Sequence, residues 1–272
     1  GKWIIFLGMR LWGSENPIGW RFSVAVLSVA TIWLLYLVSV RMLDSKRWAL
    51  IPAFLLSIDG HAIVLGRTGL LDAILAFFAL LAFLFLLKDR AQNNVSLLRR
   101  PWLIAMAVTL GLASGVKWSG LYLLATFAVY VVFGDVLRER KLRQATEDFS
   151  WVARILVRGY STALITLPVA LGAYLFTWTG WLATSGGYGR QVSIVDSGVP
   201  GWLAWIGQPM AALWHYHVQA YGFHVNLHTP HNYSSNPLTW LIMLRPTSFF
   251  YEGADAGTLI EERSRPQHNE PG

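Results

Sequence analysis

No cysteine occurs among the 272 residues, so disulfides, thiolate nucleophiles and thiolate metal ligands are all excluded. Charge is scarce as well: Asp, Glu, Lys and Arg make up 14% of the chain, against roughly 25% in soluble domains. Internal repeats and low-complexity tracts are absent, and with them the repeat signal typical of secondary transporters. Gly1-Lys2-Trp3 is not an initiator start, no signal-peptide pattern follows it, and the polar stretch from Glu261 to Gly272 carries no fold signal. Both ends look like cuts in a longer chain. The net charge of +7 is not accompanied by a basic run in a soluble-looking module, so no nucleic-acid partner is expected.

What the chain has in abundance is apolar and aromatic. Hydrophobic residues make up 54% of it, with 14 Trp and 10 Tyr, and such amphipathic rings favour membrane–water interfaces. A lipid-crossing helix needs about 20 mainly apolar residues. Residues 22–40 are an uncharged run. Residues 48–58 are short and end at the polar break Asp59-Gly60-His61. Residues 63–87 follow, with Arg67 and Asp72 near their start, and only Lys117 separates 101–116 from 118–134. Residues 159–182 form the last run, with Pro168 tolerated inside it. One helix over 101–134 would be about 50 Å long and far exceed the bilayer core, so a hairpin is expected there. The prediction is an all-α, polytopic transmembrane helix bundle of six membrane helices.

Charge sets the orientation. Segments 41–47, 88–100 and 135–158 hold Arg41, Lys46 and Arg47; Lys88, Arg90, Arg99 and Arg100; and Arg138, Arg140, Lys141, Arg143, Arg154 and Arg158. The positive-inside rule makes these connections cytoplasmic and leaves the N-terminal segment and everything after Leu182 outside. The expected organisation is a membrane core over 1–182, an extracytoplasmic loop over 183–253 and a polar tail over 254–272. Within the loop, 183–200 is Gly- and Ser-rich. Residues 202–224 read as a helix lying in the interface, and 225–251 as an ordered loop on the membrane face.

The unusual charges Arg21, Asp59, Arg67, Asp72 and Lys117 all map to the outer ends of the spans. Arg and Lys converging there with carboxylates suit a polar headgroup, especially a phosphate beside a lipid tail. Snorkelling and helix–helix ion pairing are the plainer reading for any one of them. Arg67 and Asp72 are five residues apart and meet only if a helix begins between them. Asp59 reads as a helix cap. His228-Thr229-Pro230-His231 has metal-like spacing, but no carboxylate pattern accompanies it and Pro230 disfavours a helical ligand pair. Loop hydrogen bonding is the expected role, and no metal site is assigned. The outer acids Asp196 and Glu252 have no orienting partner in the sequence.

Several stretches together resemble protein O-mannosyltransferases. Gly1-Lys2-Trp3 with Asn16-Pro17-Ile18-Gly19-Trp20-Arg21-Phe22 is similar to the start of that family's second membrane helix. Ile58-Asp59-Gly60-His61 with Arg67-Thr68-Gly69-Leu70-Leu71-Asp72 resembles its Arg-x-x-x-Leu-Asp region. Gly115-Val116-Lys117-Trp118-Ser119-Gly120 resembles its Gly-x-Lys-Trp-Ser-Gly motif. His231 to Pro237, then Leu244-Arg245-Pro246, resembles the outer loop of the bacterial, actinobacterial-type branch.

The resemblance implies a GT-C glycosyltransferase fold in the cell membrane with an extracytoplasmic active face. The implied reaction moves mannose, with inversion, from polyprenyl-phosphate-mannose to Ser or Thr hydroxyls of secreted proteins. Arg21, Arg67, Lys117 and Arg245 are expected to hold the donor phosphate, with Asp59, Asp72 and Trp118 supporting the site. His228, His231 and Tyr233 are expected to line the acceptor loop. The family's catalytic carboxylate falls upstream of Gly1, so the catalytic residue is unknown within this chain, which is expected to be inactive alone. No cofactor is obligatory, although a divalent cation is compatible. Another lipid-linked GT-C transferase is the alternative, and a secondary transporter a more distant one.

Overall fold

The computed structural model describes residues 1–92, 96–142, 150–229, 235–242 and 244, and among these the regular structure is entirely helical. The chain divides into two compact units, Gly1–Tyr216 and His217–Gly272. The first begins with α1 (Lys2–Trp12) and α2 (Pro17–Leu43). The Asn16 side chain accepts from Ile18 N at 2.9 Å and Pro17 occupies the first helical turn, two signals that start α2 where it starts. A left-handed Asp44 (φ 48°) ends it. Next come α3 (Leu50–Ile58), α4 (Gly60–Arg67) and α5 (Leu71–Arg90). They are followed by α6 (Pro101–Val116), α7 (Ser119–Leu142), α8 (Trp151–Phe176) and α9 (Thr179–Ala183). A 3₁₀ turn, Gly201–Ile206, leads into α10 (Gln208–Val225). In the second unit a further 3₁₀ turn, Pro237–Ile242, is capped by Asn236 Oδ1 accepting from Leu238 N.

Among the described residues four helices are long and apolar enough to cross a membrane: α2, α5, α7 and α8. Helices α3 and α4 pass that test only as a pair bent by 64°, and the apolar α6 has 16 residues. The six expected spans are thus four full helices, one broken pair and one short helix. The hairpin over 101–134 is present, opened by an extended Lys117 (φ −152°, ψ 141°). The expected continuous span over 63–87 is not, because the helix stops at Arg67 and restarts at Leu71. Helix α8 begins at Trp151 rather than 159, with Ser150 Oγ accepting from Ala153 N, so Arg154 and Arg158 are helical and not loop residues. The helix expected over 202–224 is divided at Gly207, whose φ of 80° ends the 3₁₀ turn.

Packing fixes the helix directions. Ala82 and Leu86 of α5, Leu103, Met106 and Leu110 of α6, Leu124 and Val131 of α7, and Ile165 and Ala170 of α8 form one buried cluster. Val24 of α2 packs with Ala73 and Ile74 of α5 and Val116 of α6, while Leu34 and Val38 of α2 pack with Leu84 of α5. Low numbers in α2 therefore meet low numbers in α5 and high numbers in α6: α2 and α5 are parallel and α6 opposes both. Lipid offers no hydrophobic drive between helices, so close approach of small residues matters. At Gly111 a Cβ would lie 2.3 Å from Ala170 O, and at Gly8 it would lie 2.2 Å from Gly19 O.

At the end carrying 88–100 and 135–158, two carboxylates and two guanidiniums interlock. Arg90 bonds Asp89 at 2.5 Å and Asp135 at 2.6 Å, and Arg100 bonds the same two carboxylates at 2.5 Å each. The Asp89 and Asp135 side chains are each 2% exposed. Burial opposes the charge on Arg100, yet its two carboxylates outweigh that cost and hold the guanidinium more firmly protonated than usual. Arg158 closes on Glu139 nearby, tying α8 to α7. Asp135→Asn would leave Arg90 and Arg100 short of one negative charge inside the bundle. The expected loss is about 3–5 kcal/mol, read as a lowered midpoint of thermal unfolding in detergent. A loss below about 1 kcal/mol, the size of a surface pair, would mean that this cluster does not hold the three helices together.

Candidate functional site

Three interruptions of helix fall at the opposite end of the bundle. The first is Asp59, whose Oδ1 accepts from Ala62 N at 2.7 Å and caps α4 as expected from the sequence. The second is Thr68-Gly69-Leu70. Thr68 Oγ1 donates to Val64 O and Leu65 O, closing the end of α4. Gly69 lies so close to Trp20 that a Cβ would be 2.9 Å from the indole, so glycine is required by that contact. Leu70 is extended (φ −82°, ψ 147°) and α5 starts at Leu71, with Asp72 in its first turn, where the helix dipole favours a carboxylate. The third interruption is Lys117, whose Nζ reaches Asp72 Oδ1 at 2.8 Å. Both side chains are about half exposed, at 51% and 46%.

A cavity of about 480 Å³ lies between α2, the α3–α4 pair and α5. Its polar lining, Asp59, His61, Arg67 and Asp72, comes from the helix breaks and ends. Its apolar lining, which includes Val29, Ile32, Leu56 and Ala76, comes from helix interiors. Ser28 and Thr31 also line it, but both hydroxyls donate to carbonyls four residues back within α2. Arg67 and Asp72 thus share one chamber because a helix begins between them. Arg67 is exposed and makes no hydrogen bond or ion pair to a described residue. The Arg21 guanidinium lies over the Trp20 ring, 4.4 Å from its centroid, beside the turn that Gly69 forms.

Trp118 is half-buried and hydrogen-bonded to Tyr174 of α8. Tyr174 adjoins Trp178, which packs on Trp181 and Tyr216 with ring centroids 5.8 and 5.2 Å away. The Trp3 indole N–H donates to Thr177 O at 3.1 Å, fastening α1 over the same end of α8. His228 is exposed in the second unit. His231, Tyr233, Arg245 and Glu252 lie outside the described residues. Asp196 does have an orienting partner, Ser193, whose hydroxyl donates to its Oδ2 at 2.6 Å. Among the described residues no three His, Asp or Glu side chains gather as a metal site.

Sequence reasoning missed the Arg190–Gln208 clamp. Arg190 donates to Gln208 Oε1 and Leu182 O, while Gln208 Nε2 donates back to Arg190 O and Val192 O. It also missed the Asp89–Arg90–Arg100–Asp135 cluster. Its one sequence signal was an isolated acid, Asp89, set between Lys88 and Arg90.

An apolar helix bundle with a chamber lined by Asp59, Arg67 and Asp72 at its helix breaks and ends defines a multi-pass membrane protein. Residues 3–184 match the family described as dolichyl-phosphate-mannose-protein mannosyltransferase, and the chain belongs to that family. It is 32% identical over 282 residues to the polyprenol-phosphate-mannose–protein mannosyltransferase of Mycobacterium tuberculosis, covering 94% of this chain and 52% of that protein. The Corynebacterium glutamicum protein of the same name is 30% identical over 279 residues, covering 92% and 50%. The dolichyl-phosphate-mannose–protein mannosyltransferase 1 of Saccharomyces cerevisiae is 30% identical over 128 residues, covering 44% and 16%. The chain therefore spans about half the length of the bacterial relatives. No solved structure matches it.

The site separates two kinds of stability effect. Asp59→Ala removes a cap and is expected to cost about 1 kcal/mol. Lys117→Met removes an exposed ion pair and should cost about 0–1 kcal/mol. Thermal unfolding of the two variants in one detergent checks both values, and a Lys117→Met loss above about 3 kcal/mol would make that pair a structural element of the bundle.

Proposed function

We propose that this chain forms the donor-binding half of an enzyme that transfers mannose from polyprenyl-phosphate-mannose to Ser or Thr hydroxyls of secreted proteins. The observation that carries this reading is Arg67, charged and without a described partner, lining an otherwise largely apolar chamber together with Asp72, which Lys117 engages. A phosphate on an isoprenoid tail needs both surfaces, cations for its oxygens and hydrocarbon for its chain.

In this reading the bond from the sugar's anomeric carbon to the phosphate oxygen breaks while the acceptor oxygen bonds to that carbon. Negative charge grows on the departing phosphate, and Arg67, Arg21 and Lys117 stabilise it, with Arg245 a fourth candidate. Asp72 tethers Lys117 until a phosphate shares it. Asp59 and Trp118 hold the helix ends that carry these side chains. The hydroxyl proton passes to a base, a role the family resemblance assigns upstream of Gly1. A lipid phosphate is a competent leaving group, so the step requires no metal, and a divalent cation is compatible with it. His228, His231 and Tyr233 are assigned to the acceptor loop. This reading puts the chamber on the extracytoplasmic side of the cell membrane, and the basic connections at the other end of the bundle support it.

Lys117→Met in the full-length enzyme is expected to lower mannosyl transfer tenfold or more, about 1.4 kcal/mol of barrier, without loss of expression. Unchanged transfer would leave Lys117 a structural partner of Asp72 alone. Orientation has its own test, helped by the absence of native cysteine. A cysteine at Gln92 or Gln144 should be shielded from an impermeant thiol reagent outside intact cells, and one at Ser185 should react. Labelling at Gln144 from outside would reverse the assignment.

A further inference from the structure

The net charge of +7 is confined to one end of the bundle. Segments 41–47, 88–100 and 135–158 contain 13 of the 22 basic residues and six of the 15 acidic ones, whereas the rest of the chain is balanced with nine of each. Three of those six acids are turned inward. Asp89 and Asp135 are taken by Arg90 and Arg100, and Glu139 by Arg158. The rim is left with exposed Arg41, Lys46, Arg47, Arg99, Arg140 and Lys141.

Two cations on this rim are seated on indoles. Lys88 Nζ lies 4.1 Å from the ring centroid of Trp102, and the Arg140 guanidinium lies 5.0 Å from that of Trp151. The first pair joins α5 to α6 and the second α7 to α8, so both sit where two successive helices approach their shared connection. Indoles belong at headgroup depth, and a cation held on one at that depth faces lipid phosphate more than bulk water. Large apolar side chains alternate with the bases along the same rim. Met42, Leu43 and Trp48 stand among Arg41, Lys46 and Arg47, and Leu97 and Leu98 precede Arg99, all of them exposed. A soluble polyanion matches a continuous basic surface. Bases interleaved with apolar side chains match a headgroup layer with hydrocarbon beneath it, and that layer is where helices crossing a bilayer necessarily place this rim.

We propose that the basic end of the bundle is a binding surface for anionic phospholipids, in which Lys88–Trp102 and Arg140–Trp151 are paired seats for lipid phosphates. This surface is separate from the chamber at the opposite end and does not depend on the identity of the donor. The test reconstitutes the full chain in phosphatidylcholine nanodiscs and titrates dansyl-phosphatidylglycerol or dansyl-phosphatidylcholine, with energy transfer from tryptophan as the readout. The expected result is a preference for the glycerol lipid of about tenfold or more. Lys88→Gln with Arg140→Gln should remove most of that preference and leave the phosphatidylcholine signal unchanged. The charge-conserving pair Lys88→Arg with Arg140→Lys should keep it, and thermal unfolding in detergent verifies that each variant folds. Equal transfer from both lipids in the unaltered protein would overturn the proposal, as would a preference that survives in a folded glutamine variant. Displacement of the glycerol lipid by inorganic pyrophosphate at low concentration would also overturn it, because the surface would then serve a soluble polyanion. If the glutamine variant does not fold, the comparison of the two lipids on the unaltered protein decides the matter.

Discussion

Two aspartates and two arginines, Asp89, Asp135, Arg90 and Arg100, tie the ends of α5, α6 and α7 together at one end of the bundle. At the other end the same pairing of α5 with α6 sets Asp72 against Lys117. Asp72 and Lys117 stand at the far ends of α5 and α6, and a bundle that splayed at its ion cluster would shift one against the other. Replacement by apolar residues is often neutral for a buried ion pair. Here each carboxylate serves two guanidiniums from different chain segments, and that geometry specifies which helix ends adjoin.

Helix breaks are costly where no water can satisfy the backbone, and this chain places three of them together at one end. Each is repaired locally: Asp59 caps α4, Thr68 bonds the carbonyls behind it, and the Lys117 N–H still reaches Ala113 O. The breaks also let side chains from four chain segments converge, which unbroken parallel rods would keep apart. The same interruptions that end the helices therefore build the polar lining of the chamber.

The class of fold was legible in the sequence because hydropathy and length act over whole helices. The hairpin at Lys117 follows from the limit that bilayer thickness sets on 101–134, and the Asp59 cap from a polar residue at a helix start. The break at Thr68-Gly69-Leu70 was not placed by hydropathy, because the apolar run resumes directly after it. What makes glycine necessary at its centre is the Trp20 ring, 49 positions away in the chain. Arg154 and Arg158 look like loop charges until Glu139 supplies their partner on α7. Within the candidate site, Asp59, Arg67 and Asp72 line one chamber, a meeting the sequence allowed for Arg67 and Asp72 only if a helix began between them, and the engagement of Lys117 by Asp72 depends on packing between α5 and α6. The acceptor-loop residues His231 and Tyr233 lie outside the described residues.

The shortness of α6 has a consequence for the surrounding lipid. Sixteen residues rise about 24 Å, several ångström less than the roughly 30 Å hydrocarbon layer, while α2 and α8, with 27 and 26 residues, exceed it. Nine residues of α6 are buried, so it shows lipid only a narrow stripe that includes Ile104 and Val108, and a bilayer thins beside such a short face. Lys117, at the tip of α6, therefore meets the membrane at a depth set by acyl-chain length as well as by the protein. Lipids two carbons longer or shorter would raise or lower the headgroup plane relative to Lys117 and Asp72, so the thickness of the membrane becomes a variable of the site itself.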